Sequence, residues 1–143
     1  MTLAFGDQLT IIHLRGSYPQ RTAAQFSKRY DGVGWESDST AWRIYFDKRN
    51  AIAVYGKRRP GLYLDLFRSP DYSFPLESPF GRDLYDIGQA IGIGAVAAVV
   101  GGRIARVSDV RERNWRILSA GPVRAIVELE HTAGKWAVEG STW

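Results

Sequence analysis

The chain has 143 residues, with 19 Lys and Arg against 15 Asp and Glu for a formal charge of +4; that length buries a real core in one domain and does not fill two. Five Trp, seven Tyr and six Phe, within 45% hydrophobic residues, exclude a disordered chain. The absence of cysteine excludes a disulfide scaffold, a thiolate metal site and a cysteine nucleophile.

Met1–Thr10 has no basic start and carries Asp7 where a secretory signal would be apolar, so no export signal is expected there. Leu9–Arg15 is short and β-branched and reads as a strand ending at Gly16. Ser17–Tyr30 is polar and irregular and admits a short helix around Ala23–Arg29, and Asp31–Trp35 is a turn cluster. In Trp42–Phe46, period-two alternation sets Trp42, Ile44 and Phe46 on one face and Arg43 and Tyr45 on the other. Asn50 breaks the run, Ala51–Tyr55 resumes it, and Leu62–Phe67 alternates again. Ser69–Pro79 holds Pro70, Pro75 and Pro79 and must be a loop, since proline cannot donate to a strand ladder.

Ile91–Val100 is the most apolar stretch, yet it is far below the roughly twenty residues a bilayer requires, so no membrane partner is expected. Gly101-Gly102 separates it from the alternating Arg103–Val110, which predicts a hairpin with a turn that needs positive φ twice. Trp115–Ser119, Val123–His131 and Lys135–Glu139 follow as strands, parted by Ala120-Gly121-Pro122 and by Gly134. Short strands with frequent Gly and Pro turns predict an all-β antiparallel sandwich in a single domain over 1–143.

Each candidate for chemistry has a structural reading beside it. Gly92-x-Gly94-x-x-Ala97 matches the letters of a dinucleotide fingerprint, but its context is wrong and close strand packing explains its glycines better. Lys57-Arg58-Arg59, with Lys48-Arg49, would grip an anion or form a solvated turn, and matches no nucleic-acid module. Trp35-Glu36-Ser37-Asp38 sets an aromatic face beside carboxylates, which suits a sugar ring; equally, Trp35 plugs the sandwich end and Asp38 caps a turn. Asp71-Tyr72 and Arg82-Asp83-x-Tyr85 supply acids, phenols and a cation, or else a loop tied down by packing and an ion pair. His13 reads as a packed or edge histidine and His131 as a solvated one, and two histidines leave little room for an all-protein zinc site.

Trp35-Glu36-Ser37-Asp38, Trp42-Arg43-x-Tyr45, Gly56-Lys57, Leu64-Asp65, Asp71-Tyr72, Gly81-Arg82-Asp83-x-Tyr85-x-x-Gly88, Gly92-x-Gly94 and Gly121-Pro122-Val123-Arg124 occur in an order that resembles a bacterial family catalogued only as domain of unknown function 4861. The likeness runs from about Trp35 to the end of the chain. It implies a carbohydrate-active β-sandwich, encoded beside polysaccharide-utilisation genes and usually exported, that meets an oligosaccharide with uronic acid or sulfate groups. It does not fix a reaction; the reaction expected here is a lyase- or dehydratase-like elimination, in which, carried over by position, Lys57 and Arg82 hold the anion and Tyr72, Asp83 and Tyr85 move protons. Ser73 stands where the family pattern carries a histidine, which favours a non-catalytic role, and the chain is short for the family, so a fragment is expected.

The expected partner is therefore an acidic oligosaccharide met by Trp35, Arg43, Lys57 and Arg82, with no cofactor, metal or nucleic acid. A non-catalytic carbohydrate-binding module is the alternative. A structural domain that oligomerises through exposed strand edges is the third reading.

Overall fold

The computed structural model describes residues 16–28, 31–68, 77–90, 92–106 and 112–132. In chain order these form β1 (Thr22–Ser27), β2 (Gly32–Ser37), β3 (Thr40–Ile44), β4 (Ile52–Lys57), a 3-10 helix (Leu64–Arg68), β5 (Glu77–Ser78), β6 (Gly81–Asp83), β7 (Ala97–Val100), β8 (Arg103–Arg106), β9 (Glu112–Ala120) and β10 (Ala125–Thr132). The architecture is all-β. Six strands pair in the order β1-β2-β3-β4-β6-β5, and β7–β8 and β9–β10 are separate hairpins; every strand pairing is antiparallel.

Register decides which side chains share a face. Phe26 lies opposite Val33, Trp35 opposite Trp42 and Ile44 opposite Ile52, so these form one surface of the large sheet. The β9–β10 hairpin covers that surface. Trp115, Val127 and Leu129 pack on the buried Val33, Ile44 and Phe46, and the Phe26 ring stacks on Trp115 at 4.6 Å. Burial of each such aliphatic side chain contributes about 1.5–3 kcal/mol. The alternation expected in Trp42–Phe46 holds, with Ile44 and Phe46 in this core.

The opposite face carries Gln25, Glu36, Ala41, Tyr55 and the 3-10 segment. Leu64 is buried there, and its Cδ2 would lie 3.0 Å from a Cβ at Gly34. A Cβ at residue 34 would require the Leu64 side chain to give by a few tenths of an ångström.

Four local expectations change. The Ser17–Tyr30 stretch contains strand β1 rather than a short helix, because Thr22–Ser27 is held along its length by β2. Asp31–Trp35 is mostly strand: only Asp31, at φ 41°, is turn, and Gly32 begins β2. Leu62–Phe67 is not a strand, since the Glu36 carboxylate takes the backbone N–H groups of Tyr63 and Leu64 and the chain coils into a 3-10 turn. The run Ile91–Val100 extends only from Ala97, because Gly92 and Gly94 sit at φ 77° and 82°.

The Gly101-Gly102 hairpin forms as its spacing demands, at φ 56° and 75°. Asn50 breaks its strand with a φ of 45°, a region Asn tolerates. Leu9–Arg15 with His13, the Asp71-Tyr72-Ser73 part of the loop, and Lys135–Glu139 lie outside the described residues.

Candidate functional site

β6 holds two of the predicted site residues in succession, and its pleat separates them. Arg82 pairs with Gly56 and Asp83 with Tyr55, so their side chains leave the sheet on opposite faces. Arg82 is exposed and lines a shallow basin of about 260 Å³ with Gly56, Lys57, Arg58, Gly81 and Leu84. Two glycines shape its floor. A Cβ on Gly81 would come within 2.0 Å of the Gly56 carbonyl oxygen, and one on Gly56 would meet Leu84 at 2.9 Å.

Asp83 faces the other way. It borders a narrow cavity of about 30 Å³ shared with Gln25, Arg43, Ala53, Tyr55 and Leu64. That volume holds about one water and no sugar ring. Its Oδ1 accepts the Tyr85 N–H at 3.0 Å, which turns the chain as β6 ends and leaves Tyr85 exposed. The Arg43 guanidinium lies 4.2 Å from the centre of the Tyr45 ring, on the same face as Asp83. The Tyr55 hydroxyl donates to the Gly81 carbonyl at 2.7 Å and anchors β6 from beneath.

Lys57 stands apart from the ligand role expected of it. Its side chain is 2% exposed and that of Glu36 is fully buried, and the two form an ion pair. The ammonium donates to the Glu36 carboxylate, to the Ser37 carbonyl and, at 2.6 Å, to the Gly61 carbonyl. A lysine has three donors, and all three are engaged inside the fold. Glu36 Oε1 accepts the Tyr63 and Leu64 N–H groups at 2.8 Å. The pair therefore ties the 3-10 segment to β2 and β4.

Trp35 is also internal: it is partly buried, packs on the Val33–Ile44–Phe46 core and offers no open platform. Asp38 pairs with Arg21, whose hydrogen bonds, with that of Ser39, hold its carboxyl below the usual range. Ser37 Oγ accepts the Ser39 and Thr40 N–H groups across the hairpin turn, a capping role expected of Asp38. Tyr72 lies outside the described residues.

Of the predicted set, Arg82, Asp83 and Tyr85 adjoin one another along the chain, while Trp35 and Lys57 belong to the interior. Sequence reasoning left Arg58 and Leu84 out of the site. Arg58 was visible as part of the basic run, but only pairing of β4 with β6 reveals that it meets Arg82 across a basin. Among the described residues no three His, Asp or Glu side chains gather as metal ligands, and no helix is long and apolar enough to cross a membrane.

The family model described as domain of unknown function (DUF4861) matches residues 8–143, a longer stretch than the motifs alone mark out. No curated protein and no solved structure matches the chain.

Proposed function

The chain belongs to the DUF4861 family of domains of unknown function, and we propose that it binds acidic oligosaccharides at the basin lined by Arg58 and Arg82. The exposed Arg82 guanidinium beside a shallow glycine floor carries this reading. A planar guanidinium suits the two oxygens of a uronic acid carboxylate or a sulfate. The floor lets a flat ring approach, and Leu84 supplies an apolar contact for its C–H face. The net charge of +4 adds a favourable field that salt screens.

Binding, rather than turnover, fits the divergence of Arg82 and Asp83 to opposite faces. Elimination is the second reading. What favours it is that an acid and an exposed phenol follow Arg82 directly along the chain, where the Asp83 carboxylate accepts the Tyr85 backbone N–H at 3.0 Å.

Calorimetric titration with a uronic acid oligosaccharide and its reduced, neutral counterpart tests both readings. The acidic ligand is expected to bind and the neutral one to bind at least tenfold more weakly. Arg82→Ala is expected to weaken binding about ten- to a hundredfold, as loss of a charge-assisted hydrogen bond of about 1.5–3 kcal/mol implies. Equal affinity for the two ligands, or an unaffected Arg82→Ala variant, overturns the binding site. Formation of an unsaturated sugar, lost in both Asp83→Asn and Tyr85→Phe, would instead establish elimination.

A further inference from the structure

A second cleft, of about 180 Å³, opens on the core side of the large sheet. Ile44, Asn50 and Ile52 form one wall, Gly94–Val96 a second, and Leu129 and His131 a third. The wall at Gly94–Val96 is pinned. The Ile93 N–H donates to the Ile52 carbonyl at 3.0 Å, and a Cβ on Gly92 would lie 2.4 Å from that same oxygen.

This cleft is apolar except for two groups, and both carry a buried atom with no hydrogen-bond partner in the protein: Asn50 Oδ1 and His131 Nε2. Asn50 is only 6% exposed, so bulk water does not satisfy its amide oxygen. An orphaned buried polar atom costs about 1–3 kcal/mol, and two at one apolar cleft require an explanation.

We propose that this cleft binds a neutral six-membered ring bearing a hydroxyl group, with the hydroxyl meeting Asn50 and His131 and the ring lying against Ile44, Ile52 and Leu129. A hydroxyl both donates and accepts, so it satisfies both atoms when His131 Nε2 carries the ring proton: the O–H donates to the Asn50 amide oxygen and the hydroxyl oxygen accepts from Nε2–H. An apolar cavity of about 150 Å³ accommodates one six-membered ring, and this cleft is of that size. Burial, and then the charge of Arg113, which pairs with His131 across the hairpin, hold the imidazole below its usual pKa. Neutral imidazole beside a guanidinium disfavours a cationic ligand. Neither orphan atom has surface open to solvent, so seating a ligand in the cleft requires the Asn50 amide and the His131 ring to turn toward it. The site is separate from the Arg82 basin, and its failure would leave the oligosaccharide reading untouched.

Two hydroxylated rings distinguish the sources of this chemistry: cyclohexanol, with one hydroxyl, and methyl glucopyranoside, with several. Each is titrated into the full chain, followed by the Asn50 side-chain amide and His131 ring nitrogen resonances and by the Leu129 methyls. Saturable shifts with either ring are expected, weakened at least fivefold in His131→Phe and abolished in Val96→Trp, which fills the cleft from an exposed position (Val96 is 60% exposed). Arg82→Ala is expected to leave the shifts unchanged. No saturable shift with either ring overturns the proposal, as do shifts that persist unchanged in Val96→Trp.

Discussion

At the scale of single residues, the decisive group is Lys57. A lysine in a basic run reads as a surface cation, and most such residues are solvated. Here its ammonium is enclosed by Glu36 and two backbone carbonyls, and Glu36 in turn accepts two backbone N–H groups. Removing one member of a buried pair leaves the other charge without compensation, which costs more than the pair itself contributes. Lys57→Met is therefore expected to destabilise the chain by about 3–5 kcal/mol in urea unfolding. Glu36→Gln, which keeps an acceptor for Tyr63 or Leu64, is expected to cost less than Glu36→Ala. A Lys57→Met variant as stable as the parent would mean that the ammonium is solvated after all.

At the scale of elements, strand boundaries follow from backbone geometry more than from hydrophobicity. The run from Ile91 to Val100 reads as one strand, yet Gly92 and Gly94 hold positive φ and the regular strand begins at Ala97. Gly92 instead forms a single parallel bridge to Ile52. A Cβ there would lie 2.4 Å from the Ile52 carbonyl oxygen and 2.7 Å from its nitrogen. Gly92→Ala thus combines a backbone clash with a left-handed φ. It is expected to lower the urea midpoint and to raise amide exchange at Ile93, whereas Gly88→Ala, with open space around it, is expected to leave Ile93 protected. The same clash argument accounts for Gly81, where β4 and β6 approach too closely for any side chain.

At the scale of the whole molecule, stability depends on the hairpin β9–β10 staying on the large sheet, and that contact contains His131 and Arg113. Arg113 donates to the Phe46 carbonyl and its guanidinium lies 5.2 Å from the centre of the Phe46 ring. Burial, and then the charge of Arg113, depress the His131 pKa below 6.5. Asp31 and Asp47 act on Arg113 from the sheet side. A base whose folded pKa is depressed binds its proton more readily unfolded, so stability falls as pH drops below about 6.5. Asp47 and Asp38, held below 3.8 by Arg49 and Arg21, add acid lability only at lower pH. The thermal midpoint is expected to decline between pH 7.5 and 5.5, and His131→Gln to flatten that decline. An unchanged slope in the variant would place the titrating group elsewhere.

The sequence by itself determined the all-β class, the Gly101-Gly102 hairpin, the alternation that buries Ile44 and Phe46, and the family. Each of these is local: period-two patterning, turn chemistry and ordered motifs act over a few neighbouring residues. It also singled out Arg82, Asp83 and Tyr85, but not the fact that the first two diverge. Only the tertiary structure decided that Lys57 and Trp35 are internal, that Leu62–Phe67 coils, that Thr22–Ser27 is a strand, and that Asn50 and His131 share one cleft. Lys57 and Asn50 meet partners 21 and 81 residues away along the chain (Glu36 and His131), and no local pattern encodes which buried carboxylate a lysine will meet.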